Sequence, residues 1–158
     1  MIRDYRHDDL PRLMDIGNRA WAPIYDMFSQ AYGTDLFERI VSNRQTDKGD
    51  QIRNHCRQHP EWVYVCEESG EVVGFVTFRI DWENGVGAIG NNARDPECEI
   101  KGVGQHMYSA VLDRFREEGL TFAKVTTGMD AAHAPARKAY EAAGFDRSHQ
   151  DVTYYCKL

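Results

Sequence analysis

Residues 98–108 read CEIKGVGQHMY: two glycines, Gly102 and Gly104, lie one residue apart and run straight into a segment with helical spacing. Free N–H groups at a helix start and in the loop before it point the same way and carry partial positive charge, which suits a phosphate or pyrophosphate. Gly102 and Gly104 lack a Cβ, so a bulky anion can approach the backbone closely. On pattern alone, a tight turn without a ligand accounts for the pair equally well. A dinucleotide-binding G-x-G-x-x-G needs glycine at 107, where Met107 stands, and a P-loop cannot be placed here. G-x-S-x-G and H-E-x-x-H are absent, which removes the usual entry points for a serine hydrolase or a zinc peptidase.

Working outward, Val103, Met107, Val111, Leu112 and Phe115 mark a helix that Gly119 ends. LTFAKVTTG (120–128) predicts a strand, HAPARKAYEAA (133–143) a helix closed by Gly144, and DVTYYCKL (151–158) a final strand. Upstream, EWVYVCEE (61–68) and EVVGFVTFRID (71–81) are β-branched and aromatic runs separated by Ser69 and Gly70, a hairpin signal. GVGAIGNNA (85–93) is a further strand, weakened by its glycines. MIRDYR predicts a first strand, and Leu10, Leu13, Met14, Gly17, Ala20, Trp21 and Ile24 recur at helical steps. After Gly33, Leu36, Phe37, Ile40 and Val41 begin a second helical region, whose polar continuation NRQTDKGDQIRNHCRQHP (43–60) is a broken helix or a loop. The order β-α-α-β-β-β-α-β-α-β predicts one α/β (α+β) domain over residues 1–158, with a mixed sheet and helices on both faces.

A chain of 158 residues buries enough surface to fold without a disulfide or metal scaffold. Nineteen Lys and Arg against twenty-five Asp and Glu give a net charge of −6, which disfavours DNA, RNA and anionic membranes as partners. Cys56, Cys66, Cys98 and Cys156 are dispersed and include no C-x-x-C, so they read as thiols of a reducing compartment. The first ten residues carry charges where a signal peptide needs apolar ones, and no apolar run approaches the ~20 residues that span a bilayer. A cytoplasmic protein is expected. His55 and His59 can share one helical turn around Cys56, but no further metal ligand is identifiable and no metal is expected.

GNNARDPECEIKGVGQHMYSAVLDRF (90–115) followed by LTFAKVTTGMDAAHAPARKAYEAAGF (120–145) resembles the GNAT superfamily of acyl-coenzyme A N-acyltransferases. In that family a hydrophobic-x-P segment precedes a pyrophosphate loop [QR]-x-x-G-x-[GA], and a later helix carries N-x-x-A-x-x-x-Y-x-x-x-G-F. Pro96, Gly102 and Gly104 match the first pattern; Ala136, Tyr140, Gly144 and Phe145 match the second. Two positions depart: Glu99 stands where Gln or Arg is usual, with Ile100 replacing a common glycine, and His133 replaces the asparagine. The likeness covers most of residues 62–158.

The resemblance implies a GNAT-like, mostly antiparallel mixed sheet, acetyl-coenzyme A as co-substrate and a primary amine of a small molecule, peptide or protein as acceptor. It places coenzyme A against Ala93, Arg94, Glu99, Ile100, Lys101, Gly102, Val103, Gly104, Gln105, His133 and Ala136. Tyr140 becomes the general acid beside the thioester sulfur. An amine with a pKa near 10.4 is neutral in only on the order of one molecule in a thousand at pH 7, so its proton must also be removed. Many members use a strand carboxylate for this, whereas this strand offers Asn91 and Asn92; Asn92 is taken as a catalytic candidate that orients the acceptor or a water. Glu83, Asp81 and His133 are outside candidates for the base. Trp21, Tyr25, Phe28 and Tyr32 form an aromatic stripe that serves either the core or an acceptor pocket, with Trp21, Tyr25 and Phe28 the candidate substrate contacts. Asp26, Asp35 and Asp81 can attract a cationic amine. A homodimer paired through the last strand is open, as are two other readings: an acyl-coenzyme A sensor without activity, and a nucleotide-binding protein.

Overall fold

Alternation in the central strands and helical spacing around them resolve into two layers of helices on one sheet. The computed structural model describes all 158 residues. Its elements are β1 (Ile2–Asp4), α1 (Leu10–Tyr32), α2 (Thr34–Ile40), α3 (Asp47–Gln58), β2 (Val63–Glu68), β3 (Glu71–Asp81), β4 (Val86–Arg94), α4 (Val103–Glu117), β5 (Phe122–Val125) and α5 (Ala134–Ala142). The strands lie in the order β1-β2-β3-β4-β5, antiparallel throughout except for the parallel pair β4–β5. This is the mixed, mostly antiparallel sheet that the sequence implied.

One face of the sheet packs Val63, Val65 and Phe75 against Leu13 and Ile16 of α1 and Ile52 and Cys56 of α3. The other packs Val76, Phe78 and Ile89 against Val103, Met107, Val111 and Phe115 of α4, with Tyr140 of α5. Each fully buried aliphatic or aromatic side chain contributes about 1.5–3 kcal/mol relative to exposure. The polar stretch 43–60 is neither broken nor a loop after Thr46: α3 buries Lys48, Gly49, Ile52, His55 and Cys56 along one side and stops before Pro60. Two apolar anchors a turn apart suffice, because the neighbouring helix supplies the surface they bury against.

An irregularity in β4 sets the phase of everything beyond it. Val76 faces Asn92 and Phe78 faces Ile89, so β3 advances two residues while β4 advances three, and Gly90 and Asn91 together oppose Thr77. The Thr77 hydroxyl donates to the Asn91 carbonyl at 3.1 Å. A Cβ at Gly90 would come within 2.7 Å of that hydroxyl oxygen, so the bulge is built for glycine. In an unbroken strand Ile89 and Ala93 share a face. Here Ile89 packs on the α4 side and Ala93 on the α1/α3 side.

The expected last strand does not form. Residues 146–158 carry no regular structure, and Val152, Tyr154 and Leu158 are exposed. Its β-favouring composition gains no ladder partner, and the outer side of β5 stays open. Tyr155 instead meets Tyr32, with ring centroids 5.2 Å apart, and Lys157 reaches Asp35 at 3.3 Å.

The β4–α4 connection is tied down at Asp95, which is 4% exposed. Its backbone N–H donates to the Val73 carbonyl, its carboxylate accepts from the Glu97 N–H at 2.9 Å, and Arg12 and Arg19 both pair with it, Arg19 at 3.0 Å. Burial pushes the Asp95 carboxyl up, but the Glu97 N–H and the two guanidinium groups outweigh it and hold it below its ordinary value of 3.8. A depressed acid stabilises the fold above its unfolded value and loses that contribution as pH falls through the folded one. Asp95→Asn should therefore lower unfolding stability by about 1–3 kcal/mol at pH 7. In urea titrations the gap from the parent protein should persist down to the ordinary value of 3.8 and close below it.

Candidate functional site

Pairing between β4 and β5 stops at Ile89↔Val125, while β4 runs on to Arg94. From Gly90 to Arg94 the backbone of β4 therefore has a free edge, and the two strands splay into a cleft of about 1070 Å³. Its floor is that edge. One half is walled by the start of α4, by Thr126 and Thr127 after β5, and by Ala136, Ala139 and Tyr140 of α5. The other half is walled by Trp21 and Ile24 of α1, Gln51 and Asn54 of α3, and Thr77 and Arg79 of β3.

At the α4 start, Gly102 holds the left-handed conformation with φ of 83°, and the first intrahelical bond runs from the His106 N–H to its carbonyl. The N–H groups of Val103, Gly104 and Gln105 have no protein acceptor in hydrogen-bond geometry. A Cβ at Gly104 would meet nothing closer than the Tyr108 ring at 3.6 Å, so space is left beside these donors. Arg94 donates to the Ile100 carbonyl at 3.3 Å and steadies the loop, and Gln105 donates to the Ala139 carbonyl at 2.8 Å, joining α4 to α5. Such a helix start is an anion cradle.

Because of the bulge, Asn92 points toward α4 and α5. The Tyr108 hydroxyl donates to Asn92 Oδ1 at 2.8 Å, and Asn92 Nδ2 donates to the Gly90 carbonyl at 2.9 Å and to the Tyr140 hydroxyl oxygen at 3.1 Å. Burial pushes the Tyr108 hydroxyl far above the usual tyrosine range, so it stays a donor. Tyr140 accepts from Asn92 Nδ2 and donates back to Asn92 Oδ1 over a long 3.5 Å contact, which leaves its hydrogen loosely held beside the cleft. Asn91 turns the opposite way and accepts from Lys48 Nζ at 3.2 Å. Lys48 also donates to Gln51 at 2.8 Å and lies 4.5 Å over the Trp21 ring.

Of the residues named from sequence, Asn92, Ala93, Arg94, Gly102–Gln105, His133, Ala136, Tyr140 and Trp21 line the one cleft. Glu99, Ile100 and Lys101 are exposed and do not line it. Tyr25 and Phe28 lie outside it: Tyr25 packs on Phe37 with its hydroxyl on Asp47 at 2.6 Å, and Phe28 stacks on Tyr32. Steps of three and four put these rings on one helical stripe, but α2 covers its lower part and leaves only Trp21 to the cleft. Asp26 pairs with Arg44, Asp35 with Lys157, and Asp81 caps a turn at Asn84, so none of the three meets an acceptor there. Glu83 is exposed in that turn. His133 is held by Asp130 through its ring and its N–H. His55 bonds the Trp62 carbonyl and His59 stacks on the Trp62 ring. Thr77, Lys48, Arg79 and Tyr108 escaped the sequence reading; Gly90, a glycine inside a strand pattern, is the one available sign of the bulge.

The acetyltransferase (GNAT) family model matches residues 21–145. Mycothiol acetyltransferase of Segniliparus rotundus is 30% identical over 100 residues, which are 60% of this chain and 37% of that protein. The chain thus spans little more than a third of that relative. The PaiA N-acetyltransferase of Thermoplasma acidophilum in complex with coenzyme A has a TM-score of 0.73 at 15% identity, covering 96% of this chain and 92% of the other. The ribosomal-protein-S18-alanine N-acetyltransferase of Escherichia coli has a TM-score of 0.66 at 16% identity, covering 94% and 79%. At such identities these two structures establish the shared fold.

Burial pushes the Lys48 ammonium down to about 8. The unfolded chain holds that proton more tightly than the folded one, so the burial penalty is complete below about pH 8 and is relieved as pH rises toward 10.5. Relative to Lys48→Met, the parent protein should gain on the order of 2–3 kcal/mol between pH 7 and pH 10.5, read from urea midpoints at each pH.

Proposed function

The chain belongs to the acetyltransferase (GNAT) family, and from that membership we propose that it transfers an acetyl group from acetyl-coenzyme A to a primary amine of a small molecule or peptide, with both held in the cleft at once. Bound coenzyme A would supply the acetyl group as an activated thioester. The chain's own residues fit it on one observation: three successive N–H donors at the start of α4 lack acceptors beside a glycine whose missing Cβ leaves room. Val103, Gly104 and Gln105 would hold the pyrophosphate, with Arg94 adding positive charge.

The remaining steps fall to β4 and α5. Backbone N–H groups along the free edge of β4 are preorganised donors for an oxygen that gains charge during attack. The Tyr140 hydroxyl, oriented by Asn92 and holding its hydrogen only in a 3.5 Å contact with Asn92 Oδ1, would protonate a departing sulfur. No Asp or Glu lines the cleft, so the amine would lose its proton to water or enter neutral. The Asn92–Tyr140 bond carries this reading over a pure binding module, because it holds a hydroxyl that lines the cleft beside a helix-start anion cradle.

Tyr140→Phe removes only the hydroxyl. In a thiol-release assay with a panel of amines it should lower kcat about 10–100-fold and leave KM for acetyl-coenzyme A within about threefold; an unchanged kcat contradicts the role. Gly104→Val places its branched side chain at the cradle while meeting only ordinary contacts with Tyr108. Calorimetry should show coenzyme A affinity reduced at least about tenfold in this variant, with the thermal midpoint moved by only a few degrees.

A further inference from the structure

The half of the cleft opposite α4 and α5 is electrostatically one-sided. Arg79 lines it from β3 and makes one side-chain hydrogen bond, to His59 Nε2 at 3.1 Å. It has no carboxylate partner, and neither has Arg94, the other arginine of the cleft, in a chain whose net charge is −6. Behind the same wall Lys48 spends its donors on Gln51 and Asn91, and the Asp47 carboxylate acts on it only from longer range. His55, also in this wall, is pushed down to about 4 by burial and is neutral at pH 7, so the positive charge of this half comes from Arg79 and Lys48.

Resting on the acetyl-transfer reading above, we infer that the acceptor is a small amine that also bears a carboxylate, and that Arg79 receives that carboxylate. A guanidinium presents a planar fork of N–H donors that matches the two oxygens of a carboxylate, and Arg79 still has most of that fork unspent. Arg79 lies two residues along β3 from Thr77, about 6–7 Å from the bulge, on the same side of the sheet. An acceptor anchored there extends its amine toward the free edge of β4 while Trp21 and Ile24 face its apolar body. Acceptors with several ammonium groups meet Arg79 in a cleft that no Asp or Glu lines, and are selected against.

The test titrates matched acceptors into coenzyme A-saturated protein by calorimetry, for the parent chain and for Arg79→Gln, an exposed position that the fold tolerates. The probes are leucine, phenylalanine and 6-aminohexanoate, each beside its primary amide and its decarboxylated amine, with spermidine as the polycation. At least one carboxylate form should bind the parent protein about tenfold or more tightly than its amide, and that advantage should shrink to within about threefold in Arg79→Gln. Coenzyme A affinity should be equal in the two proteins. Amides or spermidine binding as well as every carboxylate, or a preference that survives intact in Arg79→Gln, overturns the assignment of the acceptor. Loss of coenzyme A binding in the parent protein overturns the transfer reading itself, so the two failures are told apart by the first titration.

Discussion

One hydrogen bond, from the Thr77 hydroxyl to the Asn91 carbonyl, holds the bulge that lets the rest of the site exist. Without the extra residue at Gly90–Asn91, strand alternation would send Asn91 toward α4 and Asn92 toward α3. Asn92 would then lose Tyr108 and Tyr140, and Asn91 would lose Lys48. A single inserted residue thus assigns one asparagine to each half of the cleft. It also ends the regular ladder close to where β4 and β5 part, so the free strand edge and the two side-chain networks share one origin.

The halves are joined through rigid supports rather than through the cleft. Asp95, just beyond the last residue of β4, is gripped by Arg12 and Arg19 of α1, which fixes the loop leading to the anion cradle against the opposite face of the sheet. Gln105 fastens the start of α4 to α5, and Arg137 donates to the carbonyls of Gly128 and Asp130 to hold the loop before α5. These bonds fix three backbone donors, one tyrosine hydroxyl and one strand edge relative to one another, the preorganisation that the proposed transfer needs.

Much of this was legible in the sequence, for reasons particular to each element. Val103, Met107, Val111 and Phe115 recur at helical steps and do face the sheet, so α4 and its glycine-marked start could be read directly. Tyr140 and Asn92 share the cleft for the same reason: each sits at a fixed offset from a recognisable pattern. The fate of Tyr25 and Phe28 was not legible, because periodicity defines a stripe without saying which helix covers it. The terminal segment DVTYYCKL misled because alternation records a propensity, whereas a strand also needs a neighbour's free edge. Lys48 and Arg79 were hidden more deeply. A lysine in a polar helix and an arginine in a strand look like surface charges, and only the tertiary fold shows that the first is buried and that the second opens on the cleft.

The most direct test is a crystal structure of the protein with coenzyme A, inspected at Gly90–Asn92. The account predicts two β4 residues opposite Thr77, Asn92 between the Tyr108 and Tyr140 hydroxyls, Asn91 on Lys48, and the pyrophosphate on the N–H groups of Val103, Gly104 and Gln105. A regular β3–β4 ladder with Asn91 facing Tyr108, or a pyrophosphate bound away from the start of α4, would contradict it.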